Sequence, residues 1–383
     1  MDMKILVAPN AFKGSLSARQ AAECIANGLI HSALNAEPVL LPIADGGDGT
    51  LDAFMSDGGQ IHSVAVLDPL QRERVAEFGV LPDGDTAIVE MTRASGFTLL
   101  KPTERNPLQT TSYGTGQLLA AASALGCQKI ILGVGGSATV DGGAGALQAL
   151  KVQFMAADGS SLPMLVGGRL QEIAAVDRSA LSRTWRKTQL VIATDVDNPV
   201  LGKRGAAAVF APQKGATPQQ VKQLEEGLQH FFALIEMETG RRVTELPGSG
   251  AAGALAGGLI AVLGGQMVSG ISLLLDHHDF VRRLEDADLL ITGEGSLDRQ
   301  TLAGKAPLGV AKLARQAQVP TVALVGDSDW SADQGKEMGF DAIIRITPRS
   351  LPLRKAFAQA PQLLEHAAHR LGEALESGAI AFP

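Results

Sequence analysis

Apolar positions in this chain form unbroken runs near both termini and alternating runs in between. Residues 3–8 (MKILVA) are almost wholly apolar, the pattern of a strand covered on both faces. Residues 17–30 then repeat apolar positions at helical spacing, with Ser15 or Ser17 placed to cap them. Residues 38–42 predict a second short strand. The same grammar returns near the end, where residues 288–292 (DLLIT), 320–325 (PTVALV) and 341–346 (DAIIRI) are apolar runs separated by helical patterns over 304–318 and 331–339.

Such alternation predicts a doubly wound, parallel, Rossmann-like α/β sheet, and its presence at both ends predicts that the termini share it. The middle differs. Residues 61–91 alternate and carry turn signals at Asp68-Pro69 and Pro82-Asp83-Gly84, which suits antiparallel strands. Strands over 129–133 and 189–194, with helices over 114–125, 143–150 and 217–238, make this a second α/β unit. At 383 residues the chain exceeds the about 250–300 that one core organises. The expected organisation is a Rossmann-like domain of 1–67 plus 285–383, an inserted α/β domain of 68–284 carrying a Gly-rich loop, and a ligand cleft between them. The apolar stretch 251–265 is too short to span about 30 Å of bilayer and predicts a buried helix.

A net charge of −7, with no basic cluster interleaved with aromatics, argues against nucleic acid. Cys24 and Cys127 stand in unrelated contexts with no metal spacing. Together with an N-terminal apolar run too short for a signal peptide, they predict a reduced, cytoplasmic protein with no membrane partner. Glycine, at 44 residues against a usual share of about 7%, suits loops that hug ligands.

The densest of these loops is 129–145, KIILGVGGSATVDGGAG, in which a strand feeds Gly133, Gly135, Gly136, Gly142, Gly143 and Gly145 into a helix start. That arrangement aims backbone N–H groups at an anion. Ser137, Thr139 and Asp141 add ligand types that suit Mg²⁺ and phosphate. Gly133-x-Gly135-x-x-Ala138, with Asp158 twenty residues on, also fits a loose dinucleotide fingerprint, as does Gly248-x-Gly250-x-x-Gly253, so a nicotinamide-dependent oxidoreductase is the alternative. No P-loop motif occurs, because Gly304-Lys305 is followed by Ala306. His277 and His278 are adjacent, so they predict a helix-end or surface role and no metal set.

Other glycine-bearing loops carry Asp45, Asp48, Asp195, Asp197, Glu294 and Asp298 alongside Lys13, Lys214 and Lys305. Acids that hold a metal and lysines that neutralise transferring oxygens are the parts of phosphoryl transfer. Seven segments, PNAFKGSLSA (9–18), ADGGDGT (44–50), GVGGSATVDGGAG (133–145), ATDVDNPVLG (193–202), FAPQKGA (210–216), PGSGAAGALAGGL (247–259) and DLLITGEGSLDRQTLAGKAP (288–307), closely resemble the bacterial type-1 glycerate kinases, in the right order across the whole chain. One departure is Asn10-Ala11, where that family usually has Asp-Ser; Lys13 and Ser15 are kept.

The resemblance implies ATP- and Mg²⁺-dependent phosphorylation of D-glycerate in two α/β domains, to 2-phosphoglycerate in many members and to the 3-isomer in some. Asp195, which ends the strand pattern VIATD at the expected cleft, is the expected base, followed by Asp45 and Asp298. Lys13 and Lys305 are expected to clamp the substrate carboxylate and the γ-phosphate. Gly133, Gly135, Gly136, Ser137, Thr139 and Lys214 are expected at the nucleotide, and Asp141, Glu294 and Asp197 at the metal. The only protein partner expected is a second copy, as a homodimer.

Overall fold

The computed structural model describes residues 3–181, 185, 187–297, 306–380 and 382. Thirteen strands are present among them: β1 (Met3–Pro9), β2 (Ala36–Leu40), β3 (Gln60–Leu67), β4 (Glu73–Val80), β5 (Thr86–Glu90), β6 (Lys129–Gly133), β7 (Gln153–Met155), β8 (Ala175–Asp177), β9 (Gln189–Ala193), β10 (Gln266–Val268), β11 (Leu289–Leu297), β12 (Thr321–Ser328) and β13 (Ala342–Arg345). The chain divides into one unit of Met1–Asp45, Asp52–Asp57 and Ile271–Pro383, and another of Gly46–Leu51 and Gly58–Gly270.

The first unit is a five-stranded parallel sheet in the order β13-β12-β11-β1-β2. Its strands are apolar on both faces because both are covered. Val322 and Leu324 pack into a core with Ile25, Leu29, Leu364 and Leu371 from the helices Ala18–Ile30 and Ala360–Glu376. Their neighbours Ala323 and Val325 pack on the other side with Leu308 and Ala311 of the helix Ala306–Gln316. Successive residues of one strand thus serve two cores, which is what double winding means physically. Helix starts follow local chemistry: Ser17 with Gln20, and Ser331 with Gln334, close reciprocal capping boxes.

The second unit holds a six-stranded sheet, β10-β9-β6-β5-β4-β3. β3, β4 and β5 pair antiparallel, and β5, β6, β9 and β10 pair parallel. Strand β3, allotted above to the terminal segments, pairs along its whole length with β4 and so lies in this unit. β7 and β8 form a small separate two-stranded antiparallel sheet. The helix Ala251–Leu263 is buried along most of its length against Phe232, Leu147 and their neighbours. No helix among the described residues is long and apolar enough to cross a membrane.

Candidate active site

β6 lies between β5 and β9 and ends at Gly133, where the loop to the helix Ala144–Ala149 begins. Gly46–Leu51 crosses this loop within the same unit. Gly135 N–H donates to the Gly46 carbonyl at 2.9 Å, and a Cβ on Gly135 would stand 2.5 Å from Gly47 Cα. Two backbones can approach this closely only where one lacks a side chain. The crossing segment is tied down by Thr50 Oγ1 donating to the Gly47 carbonyl (2.7 Å) and by Leu51 N–H donating to Glu90 Oε2 (3.0 Å). Glu90, at the end of β5, also accepts from Thr92 Oγ1 at 2.6 Å. Burial pushes its carboxyl pKa up against these donors. Glu90 escaped the sequence reading; its one signal is an acid closing an otherwise apolar strand.

Most of the loop's N–H groups are engaged by the protein itself. Val134 donates to the Ala193 carbonyl, Ala138 to that of Ser95, and Gly142 to that of Gly253. Gly143 and Gly145 donate to the two carboxylate oxygens of Asp141, at 3.1 and 3.4 Å. Asp141 was expected at a metal; instead it is wholly buried and both its oxygens are occupied, so it offers a cation no open face. The helix N-terminus predicted to attract a phosphate thus already holds an internal anion. Gly133 lies in the ladder between Glu90 and Ala193, so it and Gly135 serve packing rather than a ligand. The N–H groups of Gly136, Ser137, Thr139, Val140 and Asp141 have no acceptor among the described residues. Of these five, Thr139, Val140 and Asp141 are fully buried, and exposed Gly136 (φ +72°) with adjoining Ser137 are the two nearest the surface. The expected cradle contracts to these two.

Beneath them lies Lys214, 4% exposed, in the turn Pro212–Lys214. Its Nζ donates to Ser137 Oγ and to the Thr139 carbonyl, both at 2.7 Å. Burial lowers its pKa from 10.5 to about 7, with the charge of Asp141 pulling the other way. Thr139, expected to touch the nucleotide, is fully buried and its hydroxyl has no hydrogen-bond partner among the described residues. Asp48 is exposed at the loop tip, its Oδ1 3.0 Å from where a Cβ on Gly136 would sit. Asp195 is half-buried two residues beyond β9. Asp197, expected at a metal, is exposed and pairs with Arg204 at 2.7 Å, which lowers its pKa.

The dinucleotide reading loses its acid and its second glycine match. Asp158 is exposed in a turn, where it accepts from Ser160 Oγ at 2.6 Å. Gly253 has φ +67°, and a Cβ there would collide with the Thr139 carbonyl, so this glycine seats the 248–254 turn against the loop.

In the first unit the strand order reverses at β1 and β11, whose carboxyl ends carry Asn10, Lys13 and Glu294. Such a switch point is where open α/β sheets take ligands. A cavity of about 230 Å³ opens there, lined by Phe12, Lys13, Ser15, Gly295, Asp327 and Arg345 among others. Lys13 is exposed, Asp45 half-buried and Glu294 6% exposed. Asn10 Oδ1 accepts from the N–H of Ala11 at 2.8 Å, so this substituted position serves its own turn. His277 closes the helix Gly270–His277 and His278 follows it, a helix end as expected. His278 is not at the surface but 1% exposed, with Nδ1 2.9 Å from Asp57 and Nε2 3.1 Å from the Ala53 carbonyl. Asp298 and Lys305 lie outside the described residues.

The family model for the glycerate kinase family matches residues 5–376. The chain belongs to the glycerate kinase family. It is 43% identical to the glycerate kinase of Halalkalibacterium halodurans over 368 residues, covering 96% of this chain and 97% of that one. It is 36% identical to the glycerate 2-kinase of Escherichia coli K12 over 378 residues, covering 98% and 99%. A crystal structure assigned to a glycerate kinase 2 of Salmonella typhimurium LT2 superposes with a TM-score of 0.85 at 38% identity, covering 99% of this chain and all of that one. Membership of this kinase family makes ATP and a small-molecule alcohol the substrates. The mixed α/β architecture is that of a glycerate kinase.

Proposed function

We propose that the chain transfers the γ-phosphoryl group of ATP to a hydroxyl of D-glycerate, giving 2-phosphoglycerate. The observation that carries this reading is the Gly136–Ser137 tip, exposed at Gly136, with buried Lys214 donating to the Ser137 hydroxyl. Two unengaged N–H groups and a hydroxyl, backed by a basic group, suit the oxygens of a phosphate chain.

Mg²⁺ carried on a nucleotide keeps mainly phosphate and water ligands and needs one or two protein carboxylates. The exposed Asp48 beside Gly136 fits that demand. Bound there, the ion would neutralise charge developing on the transferring phosphoryl group. Asp195 accepts the proton of the attacking glycerate hydroxyl, and its half-buried position past β9 supports this role. ATP and a free hydroxy acid are metabolites of the cytoplasm, which supports that compartment.

A ³¹P NMR spectrum of the full chain with MgATP and D-glycerate tests the reading. Glycerate-dependent loss of the γ-resonance, with a new signal matching 2-phosphoglycerate, is expected. ATP left intact in the presence of glycerate would overturn it, and a 3-phosphoglycerate signal would overturn the regiochemistry alone.

A further inference from the structure

We propose that Lys214 is a positioning residue that acts through Ser137: by donating to Ser137 Oγ it turns the hydroxyl hydrogen of Ser137 outward, onto a phosphate oxygen of the bound nucleoside triphosphate. The inference rests on the phosphotransferase reading above and assigns one of its contacts.

A serine hydroxyl has one hydrogen and two acceptor sites. With Lys214 Nζ donating to Oγ at 2.7 Å, that hydrogen cannot point back along the same line and must find an acceptor elsewhere. No protein group among the described residues accepts it. The second Nζ contact, to the Thr139 carbonyl at 2.7 Å, holds the amine at two points that bracket Ala138, so its direction is fixed by the fold. Lys214 is 4% exposed and cannot itself meet a ligand at the loop tip; Ser137, 8% exposed and next to exposed Gly136, is the group that can. A hydroxyl polarised by an amine behind it donates more strongly than one left to water. Asp141 is the charged group that acts on Lys214, and its own oxygens are occupied by Ser112, Gly143 and Gly145. Lys214 therefore remains directed at Ser137 rather than at a competing carboxylate.

Calorimetric binding of a non-hydrolysable Mg–ATP analogue to the full chain tests this, with wild type, Ser137→Ala, Ser137→Thr, Lys214→Met and the Ala/Met double variant. Ser137→Ala and Lys214→Met should each weaken binding by roughly tenfold, the worth of one charge-assisted hydrogen bond. The double variant should be no weaker than either single one, because both remove the same contact. Ser137→Thr, which keeps the hydroxyl, should restore affinity, and in turnover the loss should appear in the KM for ATP with kcat little changed. Unaltered affinity in Ser137→Ala, or additive losses in the double variant, would overturn the proposal. If Lys214→Met does not fold, the comparison of Ser137→Ala with Ser137→Thr decides alone. A wild-type chain that does not bind the analogue would overturn the phosphotransferase reading, whereas binding untouched by Ser137→Ala overturns only this inference.

Discussion

Ser112 gives Asp141 two hydrogen bonds to the same oxygen, from its backbone N–H at 2.7 Å and from its hydroxyl at 2.8 Å. The Ser112 hydroxyl in turn accepts from Ala146 N–H at 3.0 Å. These two buried side chains close the start of the helix Ala144–Ala149 from inside, where the sequence pattern suggested an external anion. Asp141→Ala strands the donors of Ser112, Gly143 and Gly145 in a fully buried site. The variant should lose about 3 kcal/mol or more of stability, read as a lowered urea midpoint. A midpoint equal to wild type would show that the loop is held by something else.

Lys214 makes stability depend on pH with a definite sign. Its folded pKa of about 7 lies below the 10.5 of an unperturbed lysine. Between those values the unfolded chain binds a proton that the folded chain does not, so stability should rise with pH across that window. The gain is complete above the unfolded value and lost as pH falls towards the folded one. The melting temperature is expected to climb between pH 7 and pH 9 in the wild type and to climb less in Lys214→Met. Equal slopes for the two proteins would remove Lys214 as the source.

Asp195→Asn keeps the size of the side chain and removes the proton acceptor. As the base, Asp195 should account for about 10²–10⁴ in kcat. The KM for ATP should stay within about threefold of wild type, because the substitution does not alter the Gly136–Ser137 tip. Steady-state kinetics at saturating glycerate measure both, and near-normal kcat would exclude Asp195 from proton transfer.

Gly135→Ala should act at a distance along the chain. The added methyl meets the backbone of Gly47 rather than a flexible side chain, so the Gly46–Leu51 crossing must shift. About 2 kcal/mol of destabilisation is expected. Hydrogen exchange should show faster loss of protection at the Leu51 amide, which donates to Glu90. Unchanged protection there would mean that the two segments are not coupled.

The architecture of the first unit was legible because its signals are local. Runs such as 320–325 demand cover on both faces whatever lies elsewhere, and the core residues of β12 alternate between two cores as that demands. Ser17, one of the two cap candidates, does cap its helix, with Gln20 three residues on. The helix Ala360–Glu376 gave less warning, since Gln359 at its start makes no side-chain cap. Strand β3 alternates as an antiparallel strand should, yet nothing local says which sheet it joins; pairing with β4 decides that.

The composition of the site could likewise be read from the chain, but not its polarity. Glycines, a serine, acids and lysines in loops after strands pointed to phosphate chemistry, and the order of long motifs pointed to the glycerate kinases. Which groups turn inward depends on partners remote in sequence: Lys214 reaches Ser137 across 77 residues, and Asp141 meets Ser112 across 29. His277 and His278 do stand at a helix end, but that His278 is buried and meets Asp57, 221 residues away, could not be read locally. A residue's type and spacing set what it can donate or accept. Whether it faces a ligand or its own fold is settled only when distant segments pack and every buried donor finds its acceptor.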